Sequence, residues 1–178
     1  MTQRPERPTA LVTGASRGIG RAIAIALAPA HDLILTARDV EALAETEALC
    51  TSAGAASVRS LPCDMTAAED RARMCEVLVD TPALVVVNNA GVAPSAPVDR
   101  TSDDAWRQVM DVNVTAPFEF IRAAVPAMKA AKWGRIVNIA STAALQGYRY
   151  TAAYCASKHA ILGPVSYTHL TLPTILRV

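Results

Sequence analysis

The sequence predicts an α/β domain: a doubly wound parallel sheet with helices on both faces. Three observations lead there. Five short apolar runs, rich in β-branched residues, recur along the chain. Helix-length segments separate them. The first run passes straight into a glycine-rich turn that opens a helical pattern. Strands joined by crossovers of that length lie parallel, because the connecting helices must pack over the sheet.

Met1 to Pro8, "MTQRPERP", is polar and proline-containing, and residues 1–8 read as a flexible lead-in. "TALVT", Thr9 to Thr13, is the first strand, followed by a helix on "GRAIAIALA". "DLILTA", Asp32 to Ala37, is the second, and the helix after it, "RDVEALAETEALCTSAG", ends on Gly54. "SVRSLP", Ser57 to Pro62, precedes the helical "TAAEDRARMCEVLVD". "ALVVVNNAG" is the most apolar run, and "GRIVNIAS", Gly134 to Ser141, repeats its character after the long segment from Ser102 to Lys132. Sheets of this kind take ligands at the carboxyl ends of their strands, which directs attention to the loops after Thr13, Ala37, Pro62, Val87 and Ala140.

A chain of 178 residues that is 52% hydrophobic suits one domain with a sizeable core. Its 17 basic and 16 acidic residues are interspersed, leaving a net charge of +1 and no basic stripe for nucleic acid or a membrane surface. Small molecules and further copies of the chain are the expected partners. Cys50, Cys63, Cys75 and Cys155 form no CxxC pair, and the N-terminal segment has no apolar signal core, so free thiols and a cytoplasmic location are expected. No apolar run approaches the roughly 18 residues needed to span a bilayer. His31, His159 and His169 show no metal-ligand spacing.

"TGASRGIG", Thr13 to Gly20, stands between a strand and a helix, the setting a dinucleotide loop requires. Its glycines, Gly14, Gly18 and Gly20, have GxxxGxG spacing; they permit a tight turn and close approach of backbone to pyrophosphate, with helix N-terminal amides facing the phosphates. An acidic side chain at the end of the second strand would hold the adenosine ribose of NAD. Ala37 stands there instead, followed by Arg38. That cation, with Arg17 inside the glycine loop, favours the 2′-phosphate of NADP. Arg38 as an ordinary solvated charge is the plainer alternative.

Hydride transfer needs a group that gives or takes a proton on the substrate oxygen. Tyrosine does this when a nearby cation favours its phenolate, and Lys158 lies one helical turn from Tyr154. Ser141 stands at the carboxyl end of a buried strand, 13 residues before Tyr154, placed to hydrogen-bond a substrate carbonyl.

"TGASRGIG", "NNAG" (Asn88 to Gly91), "MDVNV" around Asn113, "GRIVNIAS" and "YCASK", in this order and at this spacing, resemble the short-chain dehydrogenase/reductase family, with a ketoreductase or 3-hydroxyacyl dehydrogenase flavour. The resemblance covers Thr9 to about Gly163. It implies a Rossmann-type domain over 9–163, and Tyr154 as general acid in carbonyl reduction and base in alcohol oxidation. Lys158 would lower the pKa of Tyr154 and bind the nicotinamide ribose; Ser141 would orient the carbonyl. Asn113 would interrupt the long helix and hold a water in a proton relay. Gly14, Ser16, Arg17, Gly18, Ile19, Gly20 and Arg38 would contact the cofactor. Asp64 and Met65 would meet the adenine, and Asn89, Ala90 and Gly91 would pack against the cofactor, with Asn88 or Asn89 tying down the central strand. Asp64 also reads as part of a helix cap, with Thr66 competing. The implied activity is NADP(H)-dependent interconversion of a ketone and a secondary alcohol, and the implied full-length form is a homo-oligomer, a dimer or tetramer. A non-catalytic dinucleotide-binding protein, or an inactive fragment of such an enzyme, is the alternative.

The family pattern continues with a longer helix, a sixth strand, a substrate lid and a seventh strand. Residues 164–178, "PVSYTHLTLPTILRV", supply none of these and are expected to be a tail outside the native coding sequence, the alternative being a natural short variant that ends in an irregular arm. On that reading the family fold lacks its last strands, and the chain is expected to fold poorly and to bind NADP weakly.

Overall fold

The computed structural model describes residues 6–163; the predicted 164–178 tail and the first five residues of the lead-in lie outside the described residues. Five parallel strands form one sheet in the order β3-β2-β1-β4-β5. They are β1 (Thr9–Thr13), β2 (Asp32–Ala37), β3 (Val58–Pro62), β4 (Val85–Asn88) and β5 (Arg135–Asn138). The helices are α1 (Gly18–Leu27), α2 (Val40–Ser52), α3 (Ala68–Asp80), α4 (Asp103–Met110), α5 (Ala116–Ala130) and α6 (Ala152–Ala160). The chain builds outward from β1 to β3, then returns through α3 to place β4 on the other side of β1. The loops after β1 and β4 therefore diverge, leaving a crevice at the carboxyl edge.

Both faces of β1, β2 and β4 are buried, which explains runs that are continuously apolar rather than alternating, whereas β3 at the edge is only partly covered. Leu11, Ile34, Val86 and Ile136 face α3 and α5, meeting Met74, Leu78, Phe120 and Met128. Ala10, Val12, Leu33, Leu35, Val85 and Val87 face the other layer, with Ala24 of α1 and Leu43 and Cys50 of α2.

Helix ends follow local chemistry. The Asp39 carboxylate accepts from the Ala42 amide at the start of α2, and the Ser102 hydroxyl accepts from the Ala105 amide at the start of α4. Gly54, at φ +98°, ends the α2 region in a backbone conformation side chains avoid. Between α4 and α5 the chain makes a wide π turn over Asp111–Thr115, with the Ala116 amide reaching Asp111 O. Pro117 has no N–H to offer Asn113 O four residues back, so an undisturbed α-helix cannot pass this point. Arg7, within the stretch read as lead-in, joins the opposite edge of the sheet: its guanidinium donates to Asp32 Oδ1 and to the carbonyls of Ala28, Pro29, His31 and Gly54.

Candidate active site

A cleft of about 510 Å³ occupies the crevice. Its lining includes Gly14, Ser16, Arg17, Gly18 and Ile19 from the loop after β1, Arg38 after β2, Asp64 and Met65 after β3, and Asn89, Ala90 and Gly91 after β4. The volume suits an organic ligand or a large part of a dinucleotide.

The wall between β1 and β4 is stitched from both sides. Thr13 Oγ1 accepts the amides of Asn89 and Ala90, each at 3.0 Å, while Asn89 Nδ2 donates to Thr13 O at 2.9 Å and Gly14 O at 3.2 Å. Asn88 turns the other way and donates to Asn138 Oδ1 at 2.8 Å, so the two asparagines divide the task of tying down the central strand. Gly14 has φ +64°, and a Cβ there would lie 2.9 Å from Ala90 Cα. Gly20 does not line the cleft. A Cβ at Gly20 would lie 2.2 Å from Gly14 O, so its role is to let α1 start against the loop. Arg21 holds the loop from behind, donating to Ser16 O and pairing with Glu45 of α2.

The first turn of α1 has no acidic side chain and no side-chain cap. Its amide end keeps its positive character and suits an anion. Arg17 and Arg38 stand on the same cleft. Asp39 lines it as well, with Oδ1 engaged by the Ala42 amide. Asp64 Oδ1 accepts the amide and hydroxyl of Thr66 at 2.9 and 2.8 Å. These two bonds hold its carboxyl below the usual carboxylate range, with a smaller contribution from the Arg38 charge. Asp64 therefore both closes a turn before α3 and faces the cleft.

A second group of side chains meets the cleft at Gly91, where a Cβ would lie 3.4 Å from Asn113 Oδ1 and 3.8 Å from Lys158 Nζ. Asn113, buried in the π turn, accepts the Val92 amide and donates to Val92 O and to Ser157 Oγ, each at 2.9 Å. Ser157 Oγ donates to Tyr154 O at 2.7 Å. Lys158 is 6% exposed and donates to Ile139 O at 2.6 Å. Its ammonium stands 5.7 Å from the Tyr154 ring centroid, and burial lowers its pKa. Asn138 Nδ2 donates to Ile161 O at the end of α6. Ser141 caps the short turn Thr142–Ala144, accepting the Ala143 amide at 3.2 Å, so its hydroxyl proton is available to another acceptor. That turn packs against α6.

Thr13, Ser157 and the Val92 backbone organise this site without having been singled out in the sequence. Ser157 had a usable signal: a small polar residue three after Tyr154, on a helix turn that must face inward if Lys158 does. Val92 holds Asn113 through its backbone amide and carbonyl, which its side-chain type does not signal. Ala37, Cys63 and Val112 complete the cleft wall.

The family model described as short chain dehydrogenase matches residues 8–173. The chain is 37% identical over 161 residues to a D-beta-hydroxybutyrate dehydrogenase of Rhizobium meliloti, spanning 87% of this chain but 62% of that protein. It is similar to a metagenomic short-chain oxidoreductase solved with NADP, at 38% identity and a TM-score of 0.87 over 95% of this chain and 79% of the other. A short-chain dehydrogenase from Sphingobium yanoikuyae solved with NADPH gives 30% identity and a TM-score of 0.87 over 95% and 70%.

Proposed function

The chain belongs to the short chain dehydrogenase family, and from that premise we propose an NADP(H)-dependent oxidoreductase that interconverts a ketone and a secondary alcohol. The observation that carries this reading is the junction at Gly91, which sets the dinucleotide-type cleft beside Asn113 and Lys158, so close that a Cβ at Gly91 would touch both. When bound, the nicotinamide supplies or receives the hydride.

The cleft fits such a cofactor on its own terms. Gly14 and Gly20 let the loop after β1 pack against Ala90 and against the start of α1, where a Cβ would clash, and the uncapped amide end of α1 suits a pyrophosphate. Arg17 and Arg38 would hold a 2′-phosphate, while Asp39, which also lines the cleft, caps α2 through one carboxylate oxygen. Ser16, Gly18 and Ile19 would line the phosphate path. Asp64 and Met65 would border the adenine, and Asn89, Ala90 and Gly91 would back the dinucleotide.

In reduction, Tyr154 Oη gives its proton to the substrate oxygen; in oxidation it takes one. Ser141 donates a hydrogen bond to the same oxygen and so fixes the carbonyl. Lys158 places a cation under the phenol ring, stabilising the charge that develops on Oη, and it would hold the nicotinamide ribose. Asn113 fixes α6 through Ser157 and would carry the water of the proton relay. A small carbonyl or alcohol is the substrate, and a homo-oligomer and a cytoplasmic setting accompany this reading. Among the described residues no helix is long and apolar enough to cross a membrane. A panel of ketones incubated with NADPH and with NADH tests the proposal: consumption of NADPH in preference to NADH is expected. Binding without consumption of either cofactor would favour the non-catalytic alternative.

A further inference from the structure

Arg71 breaks two local rules. It lies in the first turn of α3, at the positive end of the helix dipole, and it is only 7% exposed. A buried cation at that position needs partners to compensate it. Two are present. Arg71 Nε donates to Glu119 Oε2 of α5 at 2.9 Å, and Nη1 donates to Met65 O at 2.8 Å.

Met65 and its neighbour Asp64 line the cleft beyond β3. Two of the ties on this loop are short-range: Thr66 to Asp64 Oδ1, and the Asp64 amide to Asp70 Oδ2. The Arg71 tie continues out of the segment to Glu119. That residue sits one turn into α5, which follows directly on the π turn carrying Asn113. One guanidinium therefore references the far wall of the cleft to the helix that begins at the catalytic arm.

We propose that Arg71, held by Glu119, is a positioning residue that sets the Asp64–Met65 wall for the adenosine end of the cofactor. The inference rests on the proposed cofactor reading. Arg71 touches neither cofactor nor substrate; it acts through the Met65 carbonyl. A lysine can keep charge pairing with Glu119 but has no planar fork to serve both acceptors.

The test uses the full chain and its Arg71→Lys, Arg71→Met and Glu119→Gln variants, titrated with NADPH, adenosine 2′-phosphate and reduced nicotinamide mononucleotide. Both Arg71 variants are expected to weaken NADPH and adenosine 2′-phosphate alike by roughly tenfold. The mononucleotide should be unaffected, and kcat at saturating NADPH should stay within about threefold of the parent while KM for NADPH rises. Glu119→Gln keeps the bond to Met65 O but removes the charge that compensates buried Arg71, so it should weaken NADPH and adenosine 2′-phosphate in the same direction as the Arg71 variants and by less; no loss at all in Glu119→Gln overturns the part assigned to Glu119. Unchanged NADPH affinity in folded Arg71→Lys overturns the inference, as does equal weakening of the mononucleotide. Failure of both Arg71 variants to fold also overturns it, because the role is then one of stability. A parent chain that binds no NADPH overturns the cofactor reading and this inference together.

Discussion

The cleft and the arm that carries Tyr154 and Lys158 are held by different means. The cleft sits over the interior strands β1 and β4, and its shape is set by backbone: glycines where a Cβ cannot fit, amides at the start of α1, and Thr13 and Asn89 joining adjacent strands. The arm leans on β5, one of the two edge strands among the described residues, and on α6, nine residues long. A few polar side chains anchor that helix: Asn113, Ser157, Lys158 and Asn138. Neighbouring strands enforce the cleft, whereas the arm depends on bonds that single substitutions remove. Damage to one should therefore be separable from damage to the other.

The largest effect is expected from Gly20→Ala, which drives a Cβ toward the Gly14 carbonyl. NADPH affinity, read by fluorescence titration, should fall by at least about 100-fold, with a lower melting temperature, because the opposing atom is backbone and cannot step aside. A variant that binds like the parent would break the claim that backbone packing shapes the cleft. Arg38→Asp comes next. Replacing a cation by an anion should shift the ratio of NADPH to NADH affinity toward NADH by roughly 100-fold, with little change in melting. An unchanged ratio would remove Arg38 from the 2′-phosphate site.

Ser157→Ala addresses the arm. The hydroxyl bridges Asn113 and Tyr154 O, and its loss leaves a buried amide N–H without an acceptor. Stability should drop by about 1–3 kcal/mol and kcat by roughly tenfold, with NADPH affinity unchanged. Equal losses in kcat and in affinity would mean that cleft and arm are one unit.

In the pH dependence of stability the two regions carry opposite signs. Burial, aided by the charges of Asp70 and Asp64, pushes the Cys63 thiol up to about 11. The folded chain thus keeps a proton that the unfolded chain releases, and stability falls by about 2–3 kcal/mol as pH rises from about 9 toward 11. Lys158 is shifted downward by burial, so the folded chain sheds that proton first, and stability rises as pH climbs toward the ordinary lysine value. Denaturation of the parent and of Cys63→Ser across alkaline pH separates the two terms. The loss should shrink in the serine variant.

The same division governs what was legible in the sequence. β1 and β2 occupy the residues read as strands, Thr9–Thr13 and Asp32–Ala37, because short apolar runs bounded by turn residues specify themselves locally. "ALVVVNNAG" is strand only over Val85–Asn88, since Asn89 and Ala90 leave the sheet to meet Thr13. "GRIVNIAS" pairs only over Arg135–Asn138, and Ser141 lies beyond it as the cap of a turn. Glycine and arginine positions around the cleft were readable from motif. Val92 and Arg71 were not, because their partners Asn113 and Glu119 lie far along the chain; Ser157 left only its spacing from Tyr154 as a signal.

The central proposal is that Tyr154 handles the substrate proton. Single-turnover oxidation of bound NADPH by a ketone, followed in the parent and in Tyr154→Phe, tests it most directly. The account predicts a rate at least about 100-fold lower in Tyr154→Phe with unaltered NADPH affinity. A variant rate within a few-fold of the parent would contradict it.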